Sequence, residues 1–139
     1  MIKTINKKKK KGFTLIELIA VIAIIGILAA VLVPRVSKYM GEAKKTKVLA
    51  QARTVITAVE SANAKDPAVP VDEDADDISD IKGATTGGLK LVRDFVEDSD
   101  IDKLAGTLTI EQCRQIVNNE VTFDIDGDGI IIPTTVATF

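Results

Sequence analysis

Two groups of carboxylates have types and spacing that could do chemistry. Glu17 lies inside an otherwise apolar run, and Asp124, Asp126 and Asp128 occupy alternating positions near the C-terminus. The chain has no histidine, so the commonest general base and metal ligand is absent. A Ser–His or Cys–His nucleophile pair cannot form either. The sequence therefore predicts a protein that is not an enzyme and has no catalytic cofactor.

The carboxylate of Glu17 belongs to a segment long enough to cross a bilayer. Residues 13–33 read FTLIELIAVIAIIGILAAVLV, in which only Thr14 and Glu17 are polar. As a helix this segment would be roughly 30 Å long, the thickness of a hydrocarbon core. Six lysines precede it within residues 1–12. Because positive charges stay on the cytoplasmic side, we expect the N-terminus inside and the rest of the chain outside.

Two ordinary explanations compete for this segment. The apolar region of a secretory signal peptide is about 7–15 residues long, so the run is too long and its early acid is out of place. A simple membrane tether fits the length and the charge. A carboxylate within a spanning helix costs several kcal/mol, however, and a lone tether has no use for Glu17. A helix that packs against copies of itself could use that charge.

The stretch KGFTLIE, from Lys11 to Glu17, resembles the prepilin cleavage motif of type IV pilins and of the related pseudopilins. The resemblance reaches to about Ala64. It implies that a prepilin peptidase cuts between Gly12 and Phe13 and that the new amine of Phe13 is methylated. It also implies that this amine faces Glu17 of a neighbouring subunit and so sets the axial register of a filament.

Gly26 and Pro34 are expected to weaken the long helix. Proline has no amide hydrogen, and its ring clashes with the carbonyl four residues earlier. Glycine adds local freedom, although both residues are also common in spanning helices. By the resemblance, a pilin helix can lose helical order between two such residues when it is packed into a filament.

The helix is predicted to continue over residues 35–64 as an amphipathic half. Apolar residues recur there at spacings of three and four, which indicates one buried face. This face consists of Val48, Ala52, Val55, Val59 and Ala62, widened by Leu49 and Ile56.

Residues 65–139 are predicted to form a small α+β region. Asp66–Asp80 is rich in acids and proline, which favours a loop. Leu89–Val96 suggests a short helix, and Thr109 with Gln112 resembles a capping box that opens another helix to about Val117. Cys113 is the only cysteine. Many pilins close a C-terminal loop with a disulfide, so in this chain packing or a metal must hold that loop.

The three C-terminal acids have two interpretations. Asp-Gly between β-branched runs predicts a hairpin turn. Asp124, Asp126 and Asp128 also match the first half of an EF-hand, but Thr135 stands where its closing glutamate is needed. The plain turn is favoured, and a looser Ca²⁺ site is left open.

The fold class expected is therefore α+β and pilin-like. A long N-terminal helix, with a membrane half at 13–34 and an amphipathic half at 35–64, packs on a small antiparallel β-sheet. Residues 1–12 form a cleaved basic leader. Outside this leader 12 basic residues face 20 acidic ones, so direct binding of nucleic acid is not expected.

The function expected is that of a structural subunit of a type IV pilus. Its partners would be further copies of itself in a helical homopolymer, the prepilin peptidase and the inner-membrane assembly machinery. It would lie in the cytoplasmic membrane as a prepilin and in an extracellular filament after assembly. The alternatives are a major pseudopilin of a type II secretion or competence apparatus and a tethered domain that does not polymerise. Adhesion, motility and DNA uptake are all open as uses of such a filament.

Overall fold

The structure is a computed structural model that describes residues 12–138. The predicted leader, apart from Gly12, lies outside these residues, as does Phe139. The chain divides into two compact units, with the boundary between Tyr39 and Met40. Each unit is described by itself.

A single helix, α1 (Leu15–Lys65), contains most of the N-terminal half of the chain. The predicted long apolar helix is thereby confirmed. In the first unit every described residue is exposed. An 18-residue window of α1 has a mean hydropathy of 3.0 and none of it is buried. By length and composition, α1 could cross a membrane.

The core of the second unit is built on one face of α1. The predicted apolar positions Val48, Ala52, Val55, Val59 and Ala62 are all buried, and so is Ile56, while Leu49 is half-buried. The residues that cover this face come from the shorter elements that follow. They are chiefly Ile78, Ile81, Val92, Val96, Ile101, Leu104, Leu108, Ile110, Cys113, Ile116, Val121 and Ile131.

Three short helices follow α1. They are α2 (Ile78–Gly83), α3 (Gly87–Arg93) and α4 (Ile110–Val117). The capping box predicted for α4 is present, since the Thr109 side chain accepts from the Gln112 amide and the Gln112 side chain accepts from the Thr109 amide. The predicted Leu89–Val96 helix is found as α3, which begins two residues earlier and ends three residues earlier.

The acidic loop predicted from Asp66 to Asp80 ends earlier than expected, because Asp77 caps α2. Its side chain accepts from the amides of Ser79 and Asp80, and the Asp80 side chain accepts from the amide of Asp77. Burial of Asp77 opposes its ionisation, but the hydrogen bonds from Ser79 and Asp80 outweigh it and lower the Asp77 pKa. The acids of this segment thus include helix-capping residues as well as solvated ones.

The β structure of the second unit is minimal. Strands β1 (Val121–Thr122) and β2 (Ala137–Thr138) pair antiparallel over two residues each. A short ladder of this kind does not establish the predicted sheet on which α1 would pack. Pro133 opens a single 3₁₀ turn, Pro133–Thr135, directly before β2. Proline cannot donate to a ladder, so the apolar run before it does not continue as a strand.

Gln51 is a buried polar residue in the predicted apolar face. Its Nε2 donates to the Ser99 carbonyl, at 3.1 Å, and to the Asp102 carboxylate. The Lys103 amide donates to Gln51 Oε1 at 2.7 Å. The hydrogen bond from Gln51 lowers the pKa of Asp102, against a smaller opposing effect of desolvation. One side chain thus fastens α1 to the turn that precedes α4.

We expect Gln51→Leu to lower the free energy of unfolding by about 1–3 kcal/mol, because it leaves the Ser99 carbonyl and the Lys103 amide without their partner. Denaturant unfolding of the chain in detergent would measure this. Arg53→Gln, on an exposed position of the same helix, is the control and should change the value by less than about 0.5 kcal/mol. Equal stability of Gln51→Leu and the parent chain would contradict this role.

Candidate functional site

Gly12 and Phe13 lie two residues or more before the start of α1, with Thr14 between Phe13 and Leu15. The Phe13 side chain is 89% exposed. A Cβ built on Gly12 would meet no heavy atom within 4 Å, and its φ lies outside the left-handed range. Nothing in the fold of the described residues therefore requires glycine at position 12.

Thr14 and Glu17 form a capping box at the start of α1. Both the Thr14 amide and the Thr14 hydroxyl donate to Glu17 Oε2, at 2.8 Å each. The Glu17 amide lies 3.3 Å from Thr14 Oγ1 and donates to it. This role was not predicted above, although Thr-x-x-Glu is the usual signature of the motif. The carboxylate is thus held at the N-terminal end of the helix, where the helix dipole favours a negative charge.

The capping box leaves part of the Glu17 carboxylate unused. The bonds from Thr14, the residue after Phe13, go to only one carboxylate oxygen. In the described part of the chain, Glu17 Oε1 has no hydrogen bond from another residue. It remains available to a donor from outside the chain.

The helix passes through Gly26 and Pro34 without interruption. A Cβ on Gly26 would meet nothing within 4 Å. Next to Pro34, the Ser37 hydroxyl donates to the Val33 carbonyl at 3.1 Å. A continuous helix in the single chain does not test the loss of helical order in a filament, which stays a prediction.

The Asp-Gly-Asp-Gly stretch is a tight turn, as predicted. Asp126 Oδ1 accepts from the amides of Asp128 and Ile130, at 2.9 Å each, and the Asp126 amide donates to the Ile130 carbonyl. Gly129 has a φ of 78°, which a residue with a side chain rarely adopts. Asp126 therefore has a structural task within the turn.

Two lysines of α1 supply positive charge to this turn. Lys44 Nζ donates to the Gly127 carbonyl at 2.6 Å. Lys45 Nζ lies 3.5 Å from Asp124 Oδ1 and 5.7 Å from the centre of the Phe123 ring. These ammonium groups contact oxygens that a hard cation would otherwise bind.

The three acids predicted as metal ligands lie in one turn but do not converge on a point. Within residues 12–138 no group of three or more acidic or cysteine side chains is arranged to hold a metal ion. Asp124 faces Lys45 and Asp126 accepts backbone hydrogen bonds, so both carboxylates already have partners, and the looser Ca²⁺ site stays a prediction.

A charged cluster helps to hold the C-terminal part of the second unit. Arg114 of α4 donates from Nε and Nη2 to the two carboxylate oxygens of Glu73, at 2.6 Å each, and from Nη1 to Glu60 of α1 at 3.3 Å. These hydrogen bonds, those to Glu73 above all, raise the pKa of Arg114. Next to Arg114, Cys113 is a buried free thiol. Its burial raises the pKa of this thiol to about 12. Packing and ion pairs therefore hold this region, in which Cys113 is not part of a disulfide.

Comparison with known proteins matches the N-terminal segment. Residues 7–33 match a family model described as the prokaryotic N-terminal methylation motif. The chain is 40% identical over 79 residues to fimbrial protein Q of Moraxella bovis, covering 57% of this chain and 50% of that protein. It is 47% identical over 55 residues to a fimbrial protein of Pseudomonas aeruginosa, covering 40% of this chain and 36% of that protein.

A third relative is the type IV major fimbrial protein FimA of Dichelobacter nodosus. It is 44% identical over 55 residues, covering 40% of this chain and 35% of that protein. The chain thus aligns with half or less of each of these proteins. No solved structure matches.

We expect calcium to change the melting temperature of the chain by less than about 3 °C relative to chelator. A ligand present at about a hundred times its Kd adds about 2.7 kcal/mol, which would raise the melting temperature of a domain of this size by 10 °C or more. Lys44→Met should lower the melting temperature equally in calcium and in chelator. A shift of 10 °C in the parent chain, abolished by Asp128→Asn, would establish a metal site.

Proposed function

We propose that this chain is a structural subunit of a type IV pilus filament, because residues 7–33 match the prokaryotic N-terminal methylation motif and the relatives described above are named fimbrial proteins. The observation that carries the proposal is the junction of Gly12 and Phe13 directly before the Thr14–Glu17 capping box. Glycine 12 has no structural reason in the fold, so its type is best explained by recognition by a processing enzyme.

In this proposal the chain is made as a membrane-anchored precursor. The lysine leader keeps the N-terminus in the cytoplasm, and the apolar part of α1 spans the bilayer. A prepilin peptidase removes residues 1–12 and methylates Phe13. The second unit lies outside the membrane, and the inner-membrane assembly machinery then adds the processed chain to the filament.

Glu17 sets the axial register between copies. Thr14 occupies Oε2 of the carboxylate, and Oε1 accepts the Phe13 amine of a neighbouring copy. The capping box therefore does not have to break for the intermolecular pair to form. Much of the attraction between the charges offsets their desolvation, so the pair fixes position more than it adds stability.

The relatives favour a pilus over the two alternatives. The three described above are named fimbrial proteins, and none is named a secretion or competence protein. A tethered domain that stays single would leave α1 without a second copy to cover it and Glu17 without an outside partner. The pilin-like α+β fold is part of this proposal, with the β1–β2 ladder as its described β component.

We expect the mature protein to begin at Phe13 and to carry one methyl group on its amine. Intact-mass and N-terminal sequencing of surface material sheared from producing cells would measure both. Gly12→Leu should leave the lysine leader attached, since the enzyme would no longer recognise the junction. A mature N-terminus beyond Ala29 would contradict the proposal.

We expect Glu17→Val to abolish filaments or reduce them by at least about tenfold while membrane insertion is kept, since an intramembrane charge is removed. Sheared filament and membrane-bound chain would be quantified separately.

Thr14→Val is the matched variant for this experiment. It removes the hydroxyl of the capping box, which costs the helix about 1 kcal/mol, but keeps the carboxylate. Thr14→Val should therefore assemble far better than Glu17→Val. Equal loss in both variants would mean that Glu17 acts only as a cap.

A further inference from the structure

The second unit has an open groove beside the exposed face of α1. Its volume is about 420 Å³, with Ala50, Thr54, Thr57, Ala58 and Ser61 along the helix and Phe95 as a wall. The Phe95 side chain is 51% exposed. An aromatic ring placed outside the core, next to a cavity, is a common anchor of protein interfaces.

The hydroxyl groups in the groove are already used by the helix. Thr54, Thr57 and Ser61 donate to the carbonyls four residues earlier, at 3.2, 3.0 and 2.8 Å. Their methyl and methylene groups, with Ala50 and Ala58, therefore make the floor largely apolar. The groove favours an apolar side chain over a polar one.

Positive charges flank this groove. Arg53 lines it and has no ion pair in the described part of the chain. Lys65 Nζ lies 5.8 Å from the centre of the Phe95 ring. An apolar group accompanied by carboxylates would therefore fit the groove best.

The second unit also carries an exposed apolar side chain with carboxylates on both sides of it. Over residues 40–137, three large hydrophobic side chains are exposed, Met40, Val69 and Phe95. Val69 lies in a loop that carries Asp66 before it and Asp72 and Asp74 after it. This loop, residues 66–74, is called the Val69 loop below.

The Val69 loop is held in place before any contact is made. The Val71 amide donates to Asn63 Oδ1 at 3.1 Å. The Val69 carbonyl lies so close to Gly88 that a Cβ there would be 2.3 Å away, hence only glycine fits. The Val69 side chain is nevertheless 43% exposed. The loop therefore loses little freedom when it binds.

We propose that the Val69 loop of one copy inserts into the Phe95 groove of the next copy, with its acids facing Arg53 and Lys65. This proposal rests on the proposed function and names the contact that the second unit adds to the filament. The two surfaces are opposite in charge, each has an exposed apolar part, and both belong to the same chain.

Such a contact joins two different surfaces and is therefore directional. A head-to-tail contact of this type leaves one free groove and one free loop at the ends of any assembly, and it gives an open helical polymer unless it closes into a ring. A symmetric contact would instead stop at a dimer. The arrangement suits a filament subunit.

Cross-linking between two kinds of subunit tests the contact. Cells producing full-length Thr57→Cys chains together with full-length Val69→Cys chains would be treated with a short bis-maleimide. We expect a covalent dimer only when both variants are present. The native thiol does not interfere, because Cys113 is buried and its raised pKa keeps it protonated. Thr57→Cys with Lys82→Cys, on an exposed position of α2, is the control and should give no dimer.

A charge reversal gives a second, independent measurement. Arg53→Glu should reduce sheared filament by about tenfold, equivalent to about 1.4 kcal/mol in the contact. Removal of the leader should be unchanged. Lys82→Glu makes the same change of charge away from the groove and should assemble normally.

Each result has one meaning. If parent filaments form but no mixed dimer appears and Arg53→Glu assembles normally, the contact is wrong and the pilus function stands. A dimer from Thr57→Cys alone, or a cross-link from it to a different protein, also overturns the contact. If the parent chain is not processed and makes no filament, the proposed function fails and this contact fails with it.

Discussion

Burial of one face of α1 is the interaction on which the rest of the second unit depends. Helices α2, α3 and α4 have six, seven and eight residues, and isolated helices shorter than about 12–15 residues are marginal in water. Each therefore depends on the common core that its buried residues form with the face between Val48 and Ala62. Burying a valine or an isoleucine contributes about 1.5–3 kcal/mol, so a few such contacts from each short helix outweigh its poor intrinsic stability.

In the first unit, by contrast, none of the described residues is buried by another part of the chain. Within residues 12–39 the large apolar side chains are all exposed, at fractions from 42% for Val36 to 89% for Phe13. A continuous apolar surface of this size indicates lipid or another protein surface, because water disfavours it strongly. The contact between Thr14 and Glu17 matters because Glu17 is the one charged side chain within residues 13–33.

Local patterns in the sequence were sufficient for much of this structure. The spacing of Val48, Val55 and Val59 revealed the buried face, and Thr109 with Gln112 revealed the start of α4, since each pattern lies within a few turns of one helix. The cap of Asp77 was hidden because it lies in a dense run of acids.

What the sequence could not show depends on partners that are far apart in the chain. Gln51 interrupts an apolar face for a reason found about fifty residues later, at Ser99 and Lys103. Arg114 pairs with Glu73, and neither residue is unusual in its own segment. The β prediction counted β-branched residues correctly but gave too little weight to Pro133.

Between its two apolar stretches, α1 carries polar side chains that fasten the chain's later segments to it. Lys44 donates to the Gly127 carbonyl, and Lys45 faces Asp124. The Nζ of Lys47 lies 3.2 Å from Oδ1 of Asp102. Exposed ion pairs of this kind contribute only about 0–1 kcal/mol each. Their effect is therefore mainly on position: basic residues of α1 meet acids and carbonyls of the C-terminal region at defined points. The apolar face supplies the stability, and these contacts select one placement of the C-terminal turn on it without a disulfide.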